Sequence, residues 1–135
     1  MAKFKRIDHV VIATEDLGDA ARLWQHNLGL RAEPSLERPL GAGFKVARLP
    51  VGDAFLELVQ PVAKEGRFYE QFQERGEGLF SISLEVDDLD EAVGYLQSKA
   101  VRVSEPEPGI WPGSRVARIN QRYTHGVSIQ LIERK

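Results

Sequence analysis

Two stretches of this chain match each other along their length, and the match limits the folds open to it. Residues 7–20, IDHVVIATEDLGDA, and residues 79–92, LFSISLEVDDLDEA, align at an offset of 72, with Asp16-Leu17 on Asp88-Leu89 and Ala20 on Ala92. FKVARL (44–49) then meets SRVARI (114–119) at an offset of 70, and FLELV (55–59) meets SIQLI (128–132) at 73. Blocks matched in one order, with offsets that drift only as loops gain or lose residues, mark two copies of a single supersecondary unit of about 60 residues. A chain of 135 residues holds both copies and little else, so one domain is expected.

Each copy reads as a strand, a helix and further strands. Residues 6–13 alternate with period 2, Val10 and Ile12 sharing a face. Asp16 predicts an N-cap with Asp19 in the first turn; Leu17, Ala20, Ala21, Trp24 and Leu28 keep helical spacing; Gly29 supplies a stop. In the second copy Asp88 caps, and Leu89, Ala92, Val93 and Leu96 form the buried stripe. Residues 44–50, 54–60, 114–120 and 126–132 read as strands, with hairpin turns at Gly52-Asp53 and His125-Gly126. A linking helix is expected over 66–75, with Phe68, Tyr69 and Phe72 inward, and Pro106, Pro108 and Pro112 mark an irregular loop.

Alternation also sorts the polar groups. Val10, Ile12, Leu56, Leu58, Ile82, Leu84, Val86, Ile129 and Leu131 fall on the faces that pack against helices. His9, Glu57, Ser81, Ser83, Glu85, Ser128 and Gln130 fall on the opposite faces, and a sheet that curls turns such a face into a polar-lined cleft. By the repeat, His9 is equivalent to Ser81 and Glu57 to Gln130. An imidazole with carboxylate and amide oxygens suits Zn, Mn, Co or Ni; a metal-free reading, in which His9 and Glu57 hydrogen-bond across the sheet, stands beside it. Ser81, Ser83 and Ser128 read either as ligand contacts or as small groups that leave room. Glu85 is expected at the rim, in water. Trp111 reads as a cleft lid and ligand stacker or as an interface anchor, and Arg118 as a carboxylate or phosphate partner or as solvated surface.

Composition removes several function classes. Eighteen Lys and Arg against twenty Asp and Glu leave a net charge of −2, which gives no basic excess for a nucleic-acid backbone. No apolar run reaches the ~20 residues a membrane helix needs. The absence of cysteine excludes disulfides and thiolate sites, and the opening MAKFKRIDHV lacks a signal-peptide pattern, so a cytoplasmic location is expected.

The opening IDHVVIATEDLGDAARLWQHNLGL resembles the "DH-strand, DL-x-x-A, helix, LGL" module of the vicinal-oxygen-chelate superfamily, which includes glyoxalases, methylmalonyl-CoA epimerases, extradiol dioxygenases and bleomycin-resistance proteins. FYEQFQERGEGLFSISLEVDDLDEA (68–92) and PGSRVARINQRYTHGVSIQL (112–131) are similar to the epimerase branch. The resemblance implies an α+β fold of two tandem βαβββ modules forming one cupped mixed sheet. Module one covers about 5–62, the linker helix about 64–76 and module two about 78–134. It also implies a divalent metal and a homodimer.

At the superfamily's ligand positions stand His9, Glu57, Ser81 in place of a histidine, and Gln130 in place of a glutamate. The epimerase's second catalytic carboxylate falls near Leu40-Gly41-Ala42, where Glu37 is the nearest acid; Asn120-Gln121 replaces its "HP". Two functions follow as expectations. One is a divergent isomerase or lyase for a small oxo-, carboxylate- or thioester-bearing molecule. In it a metal sits on His9, Glu57 and Gln130, Glu57 or Glu37 moves protons, and Ser81, Ser83, Ser128, Asn120, Arg118 and Trp111 line the substrate site. The other is a metal-free protein that binds or sequesters a small molecule.

Overall fold

The computed structural model describes residues 3–33, 36–38 (as backbone) and 43–134. In order these form β1 (Phe4–Ala13), α1 (Leu17–Leu28), β2 (Leu36–Arg38), β3 (Phe44–Val51), β4 (Ala54–Pro61), α2 (Arg67–Arg75), β5 (Gly78–Val86), α3 (Leu89–Ser98), β6 (Glu107–Pro108), β7 (Arg115–Ile119), a 3-10 turn (Gln121–Tyr123) and β8 (Ile129–Glu133). The fold is α+β and follows the repeated strand–helix–strands plan. It divides into two compact units, residues 10–80 and residues 1–9 with 81–135, so β1 gives its first six residues to one unit and its last four to the other.

In the unit of residues 10–80 the strand order is β2-β3-β4-β1, with β3 and β4 antiparallel from Phe44↔Pro61 to Val51↔Ala54. Helix α1 starts where Asp16 accepts a hydrogen bond from the Asp19 amide at 2.9 Å, and ends where Gly29 turns left-handed at φ 73° and returns its amide to Gln25. Its apolar stripe packs Leu17, Ala20, Ala21 and Trp24 on Ile12, Ala47, Leu49, Leu56 and Leu58. Leu49 and Leu58 are fully buried, each contributing about 2 kcal/mol through area removed from water. Helix α2 seats Phe68 edge-on between Phe44 and Phe80, with ring centroids 5.9 and 4.8 Å away.

In the other unit the order is β1-β5-β8-β7-β6. β5 runs parallel to β8 with Ser83 opposite Gln130, and β7 antiparallel to β8 with Arg118 opposite the same Gln130. Asp88 caps α3 by accepting from the Glu91 amide at 3.0 Å. Leu89, Ala92 and Val93 then close on Leu84, Val86, Ala117 and Leu131.

One turn departs from expectation. His125-Gly126 is not a tight hairpin, and β8 begins at Ile129 rather than 126. The chain passes through the 3-10 turn instead because Asn120 Oδ1 accepts from the Arg122 amide at 2.9 Å and the Thr124 hydroxyl donates to the Val127 carbonyl at 2.7 Å. Those side chains satisfy backbone groups that a two-residue hairpin would have paired across strands. No helix among the described residues is long and apolar enough to cross a membrane.

Candidate functional site

The polar face gathers around His9. Its Nδ1 lies 2.7 Å from Oδ2 of Asp8, and its Nε2 lies 3.0 Å from the Ser83 hydroxyl, to which the Gln130 side-chain amide donates at 3.0 Å. An ionised carboxylate only accepts, so Nδ1 carries a proton for Asp8. In the neutral ring Nε2 is then an acceptor, which takes the one hydroxyl proton of Ser83 and leaves the Ser83 oxygen to accept from Gln130. These positions follow from the donors and acceptors rather than from observed hydrogens. His9 and Ser83 are buried, while Gln130 and Ser81 are half-buried on the same face.

Asp8 is fully enclosed, yet it is charged. Burial pushes its pKa up, but hydrogen bonds from Arg134 and His9 and the Arg134 charge outweigh that and hold it well below the usual carboxylate range. Arg134 donates through Nε to Oδ1 at 2.7 Å and through Nη2 to Oδ2 at 2.8 Å. Arg6 adds a bond to Oδ1 at 3.0 Å and reaches Glu85 at 2.8 Å. Glu85, expected at the rim in water, is instead buried and paired with Arg6, with Lys5 at 3.8 Å.

The remaining candidates divide. Arg118 stands in register with Gln130, and its exposed guanidinium bonds Glu107 at 2.8 Å. Ser81 precedes Ser83 by two residues, but it is Ser83 that meets the imidazole. The Ser128 carbonyl accepts from the Ile82 amide at 3.0 Å. Asn120 is a cap for the 3-10 turn. Trp111 is buried, and its carbonyl holds the Ser114 side chain at 2.6 Å, which fits an anchor of the 109–114 loop better than an open lid. Glu57 is buried in β4, directly opposite Arg48 of β3, which lies 4.0 Å above the Phe55 ring. Glu37 lies in β2, and its side chain is outside the described residues, as are Leu40, Gly41 and Ala42.

The expected divalent ion fits this arrangement poorly. Among the described residues no three His, Cys, Asp or Glu gather to hold a metal. The imidazole lone pair that an ion would take is filled by the Ser83 hydroxyl, and the groups beside it, Ser83 and Gln130, are neutral and bind divalent ions weakly.

Asp8, Arg6 and Arg134 were not among the residues expected at the site. The available signal was an aspartate beside the histidine, just before the apolar run VVIA, together with an arginine four residues beyond Gln130.

The family model of the Glyoxalase/Bleomycin resistance protein/Dioxygenase superfamily matches residues 8–117, and the chain belongs to that superfamily. It is 29% identical over 135 residues to the uncharacterized protein YqjC of Bacillus subtilis, covering 96% of this chain and 93% of that one. It is 28% identical over 128 residues to the mitochondrial methylmalonyl-CoA epimerase of Homo sapiens, covering 93% and 72%. Among solved structures, a variant of Streptomyces coelicolor methylmalonyl-CoA epimerase in complex with 2-nitronate-propionyl-CoA superposes with a TM-score of 0.86 at 26% identity, covering 98% and 96%.

Proposed function

We propose that this chain binds a small carboxylate- or thioester-bearing molecule, of the acyl-CoA kind, and that it does so without a divalent metal. The observation that carries this reading is the Ser83 hydroxyl on Nε2 of His9, which uses the lone pair a metal would need. This face carries the Gln130 amide, the Ser81 hydroxyl and, in register with Gln130, Arg118, whose guanidinium a ligand would have to share with Glu107. Neutral donors with one cation suit a carboxylate or a thioester carbonyl. Gln130 cannot take a proton as a base, so a two-carboxylate epimerisation has no partner at that position. The acyl-CoA class is taken from the epimerase relatives, one of which is solved with such a ligand.

A second reading is favoured by the burial of Glu57 together with that kinship: a metal-assisted isomerase or lyase on His9, Glu57 and Gln130, with Glu57 or Glu37 moving protons. The homodimer that the resemblance implies goes with either reading, as does the cytoplasmic location expected from the lack of cysteine.

Calorimetric titration with propionyl-CoA and methylmalonyl-CoA, on chelator-treated protein and on protein supplied with Zn, Mn, Co or Ni, separates the two. The expected result is equal affinity in both preparations and no exchange of the acyl α-proton in deuterated water. Binding that requires metal, with exchange abolished in Glu57→Ala, overturns the metal-free reading and supports the second.

A further inference from the structure

We propose that Asp8, clamped by Arg134, is the positioning residue that sets the tautomer and direction of the His9 ring. Neighbouring residues of a strand normally send their side chains to opposite faces, yet the Asp8 carboxylate and the His9 Nδ1 are 2.7 Å apart. The carboxylate is fully enclosed and is held from outside by two guanidiniums. Arg134 closes on both of its oxygens, so the carboxylate cannot turn without breaking two charge-assisted bonds.

With the carboxylate immobile, Nδ1 is kept protonated and Nε2 presents its lone pair to the Ser83 hydroxyl and the Gln130 amide behind it. The residue that follows the last strand thus determines how the imidazole of the first strand meets the polar face. The order Asp8–His9–Ser83 is that of a serine nucleophile and its base, but the Ser83 hydroxyl is fully buried and relays the hydrogen bond instead of attacking a ligand. An imidazole ordered in this way depends on its carboxylate partner for its tautomer and its direction.

This inference rests on His9 belonging to the ligand site, but its primary test does not need a ligand. Long-range proton–nitrogen NMR on the full-length protein reads the protonated nitrogen of His9 directly. Wild type is expected to show a proton on Nδ1. Asp8→Asn, whose amide can donate, is expected to move it to Nε2, and Arg134→Gln to give a mixture of the two, with Arg134→Lys restoring part of the wild-type signal. Propionyl-CoA binding in both disruptive variants is expected to weaken, read as a raised Kd. If Asp8→Asn fails to fold, the Arg134 pair carries the test alone. An unchanged Nδ1–H signal in Asp8→Asn or in Arg134→Gln overturns the assignment. A tautomer that moves as expected in a protein that binds no acyl-CoA leaves the assignment standing and removes the proposed function.

Discussion

Gln130 stands directly opposite Ser83 in the parallel pairing of β5 and β8, and its side-chain nitrogen lies 3.0 Å from the Ser83 hydroxyl. That register places neutral side chains at and beside two positions where the resemblance implies a histidine and a glutamate. Restoring those ligands tests what the replacement achieved. The double variant Ser81→His, Gln130→Glu is expected to take up close to one equivalent of Zn or Co by mass spectrometry, where wild type retains none. Equal uptake by both proteins contradicts the reading.

Ser83 links the buried His9 to the half-buried Gln130. Ser83→Ala removes the donor to His9 and the acceptor for Gln130 while changing little volume. An expected loss of about 1–3 kcal/mol follows from leaving both groups unsatisfied, measured by urea unfolding. A loss within error would mean that water or another side chain replaces the hydroxyl at no cost.

Asp8 makes folding pH-dependent in one direction. Its folded pKa is depressed below the unfolded value of about 3.9, so its contribution is fully present above that value and is lost as the pH falls toward the folded pKa. Asp8→Asn is expected to lower stability at pH 7 by about 2–3 kcal/mol and to flatten the decline below pH ~4, read from unfolding midpoints across pH. A variant whose acid limb stays as steep as that of wild type contradicts the assignment.

The caps of α1 and α3 lie in different units. Asp16→Ala and Asp88→Ala are each expected to cost about 1 kcal/mol, and nearly to add in the double variant, because they share no partner. Strong non-additivity in thermal or urea unfolding would contradict this.

Much of the fold was legible because its signals are local. Asp16, Gly29 and Asp88 do at the helix ends what their side chains and backbone freedom allow, and period-2 alternation assigned Leu56, Leu58, Leu84 and Leu131 to their cores. The turn before β8 was misread because Asn120 and Thr124 capture backbone groups that the dipeptide His125-Gly126 suggested would pair across a hairpin.

At the site, parity selected His9, Ser83 and Gln130. The same parity put Glu85 on that face, where it was expected at the rim, in water, and Asp8 was not singled out. Both carboxylates are buried because arginines meet them, Arg134 from 126 residues away on Asp8 and Arg6 from 79 residues away on Glu85. Ion pairs of that span depend on which strands become neighbours and where their ends fall, which no local pattern carries.

The central claim is that this superfamily member takes its ligand without a divalent ion. Native mass spectrometry of wild-type protein, purified without chelator and offered Zn, Mn, Co and Ni in turn, tests it most directly. The account predicts the mass of the bare chain, or an integral multiple of it, under every condition. A retained ion at one equivalent per chain, lost in His9→Ala, would contradict it.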